Sequence, residues 1–170
     1  MTDYCQLARQ ALHTYLSDGD TYEPDQNAGA RAGCFVSLHT REGDLRGCIG
    51  TIQPRYFDLH DEIVENAIAA GTRDPRFPPV SLNELASLTL DVSVLKEPEP
   101  VNGLSELDPQ RYGVIIRNGR RRGVLLPGLD GVDSVDQQLS ITRRKAGIGE
   151  AEPIEISRFE VEKFFEPAHE

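Results

Sequence analysis

The sequence lacks most of the features that announce a chemistry directly. No apolar stretch approaches the roughly 20 residues needed to span a bilayer, and no N-terminal apolar run follows a basic segment. A protein without a membrane span or signal peptide is therefore expected. Cysteine is scarce. Cys5, Cys34 and Cys48 are an odd number without metal-ligand spacing, as expected for reduced thiols in a cytoplasmic protein. There is no zinc ligand set, Walker loop, dinucleotide glycine motif or GxSxG elbow, so no metal is expected and no cofactor is assigned. Internal repeats, heptads and low-complexity tracts are also missing. Basic residues are in deficit: 18 Lys and Arg against 28 Asp and Glu leave a net charge of -10, which disfavours a nucleic-acid surface. Two local basic clusters, Arg120-Arg121-Arg122 and Arg143-Arg144-Lys145, could still hold a single phosphate or carboxylate.

What remains is ordinary globular material. With 38% hydrophobic and 27% charged residues, the 170-residue chain is long enough for one cored domain, residues 1–170, and short for two. Leu7, Ala11, Leu12, Tyr15 and Leu16 form the apolar face of a first helix. Asp3 and Gln6 make its capping box, and Ser17-Asp18-Gly19 its stop. Residues 20–31 read as a loop. Strands follow at 33–40 and 45–52, turning through Arg41-Glu42-Gly43-Asp44 and ended by Pro54. A second helix covers 59–70, with Gly71 as its C-terminal stop. The proline-bearing segment 72–80 is a rigid loop. Ser81 and Glu84 open a short helix, 88–95 is a strand, and 96–110 is a connector. Strands at 113–117 and 123–126 flank Asn118-Gly119, the strongest hairpin signal in the chain. Ser134 and Gln137 open a helix ending at Gly147, and 155–161 is a last strand. Hairpin returns dominate over βαβ units, so the fold class is α+β with a largely antiparallel sheet flanked by helices.

The first hairpin carries the chemistry. Cys34, Val36 and Leu38 share one face of the first strand; Leu45, Gly47 and Ile49 share one face of the second. Burial selects the register that joins these sets. Placing Arg41 opposite Asp44 does so, with Val36 facing Ile49 and Leu38 facing Gly47. The other face then pairs Ser37 with Cys48 and His39 with Arg46, beside Phe35 and Gly50. A thiol, imidazole, guanidinium and hydroxyl thus share one surface, and a Cys34–Cys48 disulfide is disfavoured. Gly47 and Gly50 suit a pocket of exposed backbone amides around Cys48, or alternatively a bulge and tight packing around a small inert thiol. Arg46 suits a carboxylate or phosphate, or a salt bridge to Asp44 or Glu42. In the rigid loop, Asp74 and Arg76 either line a site or cap a turn and pair with each other while Phe77 plugs the core. Arg122, beside Gly123, is a candidate to face inward.

Leu45-Arg46-Gly47-Cys48-Ile49-Gly50 is similar to the hallmark six-residue motif of the AMMECR family. The resemblance continues through residues 32–38, 74–80, 112–123, 126–138 and 145–147, nearly the whole chain. It implies an α+β fold in two unequal subdomains with the motif near their interface. It brings no assigned reaction, and it implies work beside Memo-like or radical-SAM partner proteins. Two functions are consistent with these residues. The first is an enzyme for a small anionic substrate. Cys48 would be its nucleophile or redox thiol, its pKa lowered by Arg46, and His39 its base. Arg46, Ser37, Gly47, Gly50 and Arg122 would bind the substrate, and Asp74 and Arg76 would close the site. The second is a non-catalytic binding or adaptor module holding a peptide, nucleotide or partner protein in the same groove.

Overall fold

The structure, a computed structural model, describes residues 3–167. Contacts within the chain gather into two compact units. One runs to Leu95 and takes up the chain again from Glu162; the other is Lys96–Val161. Each has its own antiparallel sheet, so the α+β class holds.

In the first unit, helix α1 (Tyr4–Asp18) starts at Asp3, whose carboxylate accepts the backbone N–H groups of Cys5 and Gln6. It stops at Gly19, which adopts φ 76°. Strands β1 (Cys34–His39) and β2 (Leu45–Thr51) form the expected hairpin. Helix α2 (Leu59–Thr72) runs past Gly71, which is no stop signal. A Cβ there would lie 2.6 Å from Leu12 Cδ1, so this glycine lets α1 and α2 approach closely. Short helix α3 (Leu82–Leu85) is capped by Ser81, and β3 (Thr89–Leu95) follows. Strand β8 (Val161–Phe165) completes a sheet of order β2-β1-β3-β8. Leu12, Val36, Leu38, Ile63, Ile68, Leu90 and Val92 form its fully buried core against α1 and α2. Each such side chain contributes about 1.5–3 kcal/mol by burial.

The second unit holds β4 (Glu99–Pro100), β5 (Gly113–Asn118), β6 (Arg121–Leu125) and β7 (Glu155–Phe159), in the order β4-β7-β5-β6. Helix α4 (Val135–Ala146) begins with the expected Ser134–Gln137 capping box and ends at Gly147, φ 70°. Residues 155–161 were expected as one strand. The alternation instead belongs to two strands, β7 and β8, which join different sheets. The connector at 96–110 contains β4 and a short 3-10 turn, Leu104–Glu106, both too brief to leave a periodic signal. The tip of the β5–β6 hairpin is Gly119-Arg120. Gly119 has φ 59° and Arg120 a negative φ, the arrangement of a type II′ turn.

Candidate functional site

The site begins with strand pairing. Val36 lies opposite Ile49, Ser37 opposite Cys48, and Leu38 opposite Gly47, as burial requires. The turn is tighter than expected: Thr40, not Arg41, pairs with Asp44 through an N–H···O bond of 2.8 Å, and Gly43 adopts φ 90°. A bulge restores the register. His39 faces Leu45, leaving Arg46 as the extra residue on the bulged strand. The expected His39–Arg46 pair therefore does not form, and Leu45 lies on the His39 face rather than in the core.

On the polar face, three strands place a line of groups across the sheet. Ser37 of the inner strand β1 has Cys48 as its neighbour on β2 and Asp91 as its neighbour on β3. The Ser37 hydroxyl reaches Cys48 Sγ at 3.1 Å. His39 Nδ1 lies 3.3 Å from Asp91 Oδ2, an ion pair when the imidazole is protonated. Burial raises the Asp91 carboxyl above its ordinary pKa, opposed by His39, by Lys163 of β8 and by the Ser37 hydroxyl. Burial also raises the Cys48 thiol, opposed by Ser37 and by Arg76. The lowering by Arg46 that a pre-formed thiolate requires is absent. Ser37 has one hydroxyl proton to give. In the structure it is directed at the sulfur, with Asp91 as the other neighbour of the hydroxyl.

The second part of the site is the loop after α2. Asp74 is buried, 5% exposed. It accepts the Cys48 backbone N–H at 3.0 Å, the Arg76 backbone N–H at 3.0 Å, Arg76 Nε at 3.1 Å and Arg76 Nη2 at 2.8 Å. The Arg76 guanidinium bonded to it holds the Asp74 carboxyl down at about 2. Arg76 Nη2 also reaches the Cys48 carbonyl at 3.4 Å, yet the side chain is 57% exposed. Its Nη1 has no hydrogen-bond partner among the described residues. Phe77 is half-buried under the Arg76 guanidinium and does not plug the core.

The remaining residues singled out from the sequence stand as follows. Arg46 makes a bidentate pair with Glu84 (2.7 and 3.0 Å) and donates to the Pro78 carbonyl at 2.8 Å, so its guanidinium is spent on structure. Its partner is Glu84, not Asp44 or Glu42. Gly47 lies against α2, where a Cβ would come within 2.3 Å of the Ala70 carbonyl oxygen. Gly50 lies under the Phe35 ring, where a Cβ would be 2.2 Å from Cγ. Both glycines are explained by close packing, and the Cys48 amide between them is already bonded to Asp74. Arg122 belongs to the second unit and is exposed opposite Arg117 in the β5–β6 ladder. It does not face inward, because the pleat gives the inward place to Gly123, which packs on Thr142 of α4.

Asp91 and Lys163 were not singled out from the sequence. A signal existed for Asp91: aspartate is depleted in strands, and this one stands between Thr89 and Ser93 on the polar face of an alternating run. Lys163 carried none, because only the pairing of β8 beside β3 brings it near. Among the described residues, no group of three or more His, Cys, Asp or Glu side chains could hold a metal ion. No helix there is long and apolar enough to cross a membrane.

Fold and site together define an α+β protein with two sheets, the first carrying a cysteine hairpin packed between glycines. Residues 5–164 match the AMMECR1 family model, and the chain belongs to that family. A Thermotoga maritima protein is 49% identical over 167 residues, covering 95% of this chain and 96% of the relative. A Clostridium acetobutylicum protein is 46% identical over 164 residues, covering 93% of this chain but 35% of that longer protein. The crystal structure of uncharacterized protein PH0010 from Pyrococcus horikoshii superposes with a TM-score of 0.87 at 33% identity, covering 94% of this chain and 88% of that one.

Proposed function

We propose that the sheet face around Cys48 binds a small anion, a carboxylate or phosphate, and that the line of polar side chains beside it moves a proton on the bound molecule. The observation that carries this reading is the Asp74–Arg76 pair. A buried carboxylate fixes a half-exposed guanidinium beside Cys48 while leaving Nη1 unspent. Such an oriented fork suits a carboxylate or phosphate. Arg76 takes the anion-binding role that the sequence suggested for Arg46, and Asp74 positions it. Gly47 and Gly50 set the backbone of Cys48, and Arg122 has no part in the site.

The thiol acts as a proton donor, since its pKa is raised and a nucleophile needs the thiolate. Cys48 gives its proton to the ligand, Ser37 gives its hydroxyl proton to the sulfur, and Asp91, backed by His39, restores the hydroxyl. The balance is one proton moved from the Asp91–His39 pair to the ligand, with Cys48 and Ser37 unchanged.

Titrating the isotopically labelled full chain with inorganic phosphate and with succinate, followed by NMR, tests this. Saturable shifts at the Cys48 amide and Arg76 Nε are expected from at least one anion, and the Cys48 shift should vanish in Arg76→Ala. The absence of saturable shifts, or shifts retained in that variant, would refute it.

A second reading, a non-catalytic adaptor for a partner protein, is favoured by the same raised thiol. In that case Cys48→Ser retains binding while Arg76→Ala loses it, and no proton transfer accompanies binding.

A further inference from the structure

A cleft of about 420 Å3 opens beside the start of α1, and it shares no residue with the site around Cys48. Asp3, Gln6 and Gln10 line one side, Tyr22 and Asp25 of the following loop another, and His60 of α2 the third. His60 is 4% exposed, far more buried than a histidine serving only as surface. Its Nδ1 lies 2.6 Å from the Gln26 carbonyl oxygen. A carbonyl only accepts, so Nδ1 carries the hydrogen of this bond. Tyr4 packs against the ring in a T-shaped contact, centroids 5.8 Å apart, and fixes its plane. Nε2 has no hydrogen-bond partner among the described residues. In the neutral ring it is therefore an oriented acceptor without a donor, on a side chain that lines the cleft.

Several other lining groups offer acceptors, beside the Tyr22 hydroxyl and the Gln6 amide, which both donate and accept. Asp3 spends Oδ1 on the Cys5 and Gln6 N–H groups, which leaves Oδ2. Asp25 has no partner among the described residues. Gln10 gives one amide N–H to Thr14 at 3.0 Å and keeps its carbonyl oxygen. Among the described residues no Lys or Arg lines the cleft, while Leu7 and Pro24 give it an apolar wall. Two carboxylates, an amide oxygen and an imidazole lone pair beside hydrocarbon call for several N–H donors, positive charge and a short alkyl chain. A hard divalent ion fits poorly, since it seeks a closed shell of oxygens.

We infer that this cleft is a binding site for a primary alkylammonium group. His60 Nε2 accepts one N–H, Asp3 and Asp25 neutralise the charge, and the alkyl chain lies along Leu7 and Pro24. The group could come from a free diamine or from the lysine side chain of a peptide, and the two are separable.

The test is NMR titration of the full chain with 1,4-diaminobutane in one arm and Nα-acetyl-lysine amide in the other. Tetramethylammonium, which has no N–H, and magnesium chloride serve as comparisons. Saturable shifts at the His60 imidazole and the Gln6 and Gln10 side-chain amides are expected from at least one amine. Binding of the diamine alone assigns a free amine; binding of the lysine amide assigns a peptide side chain. Affinity should fall about tenfold in Asp25→Asn, an exposed position whose substitution leaves the fold intact, and binding should be lost in His60→Phe. No saturable shift from either amine would overturn the assignment. So would equal shifts from tetramethylammonium or magnesium, or unchanged affinity in Asp25→Asn.

Discussion

Replacing Asp74 with asparagine removes the charge that holds the loop after α2 to the cysteine strand. The folded carboxyl titrates at about 2, against a reference of 3.8. At about 1.4 kcal/mol per pH unit, that difference corresponds to roughly 2.5 kcal/mol. Arg76 is 57% exposed, so water screens the pair and about 1–1.5 kcal/mol is the better figure for the charge. Asparagine then adds a second loss. One of its two oxygens becomes an NH2 group facing donors, either the Cys48 N–H or the Arg76 fork, and a buried unmatched donor costs about 1–2 kcal/mol. Asp74→Asn is expected to be less stable by about 2–3 kcal/mol at neutral pH. The sign with pH follows from the depressed pKa. Stability from the ionised carboxyl is complete above the unfolded value of 3.8 and is lost as pH falls through the folded value of about 2. Urea unfolding followed by circular dichroism should therefore show a wide gap between wild type and variant at pH 7 that narrows between pH 4 and pH 2. A gap under about 0.5 kcal/mol at pH 7, or one that stays constant down to pH 2, would refute the reasoning.

Gly47→Ala should destabilise by about 2 kcal/mol or more, because the added methyl meets the Ala70 backbone oxygen rather than a side chain that can turn away. Thermal unfolding checks this, and an unchanged Tm would show that α2 can withdraw freely. Ser37→Ala removes a hydrogen bond to the sulfur and should move the alkylation profile of Cys48 to higher pH. Asp91→Asn removes a nearby negative charge and should move it to lower pH. Opposite signs in either variant would break the proposed line.

Much of the hairpin was legible because burial leaves little choice. Cys34, Val36, Leu38 and Ile49 can share the core face in one register only, and that register places Ser37 beside Cys48. The bulge was not legible. It follows from a three-residue turn closed by Gly43, and the alternating pattern gives no sign of one extra residue at Arg46. Gly71 shows the same limit. A glycine after an apolar helical run has the look of a cap, and only the position of Leu12 reveals a packing role. Asp91 and Lys163 joined the site through strand order, which depends on pairings over long sequence separations. The exchange of Arg46 for Arg76 has a similar origin. The motif contains Arg46, but Glu84 and the Pro78 carbonyl, more than thirty residues along the chain, take up its donors.

The pH dependence of iodoacetamide alkylation at Cys48 tests the central claim most directly. Cys48 is partly buried, whereas Cys5 and Cys34 are buried with thiols pushed up to about 12, so the reaction reports chiefly on one residue. A midpoint above the ordinary thiol value of about 8.5, moving further up in Arg76→Ala, is the predicted result. A midpoint at or below that value would mean that burial does not hold the proton on the sulfur, and the proton-donor role of Cys48 would be wrong.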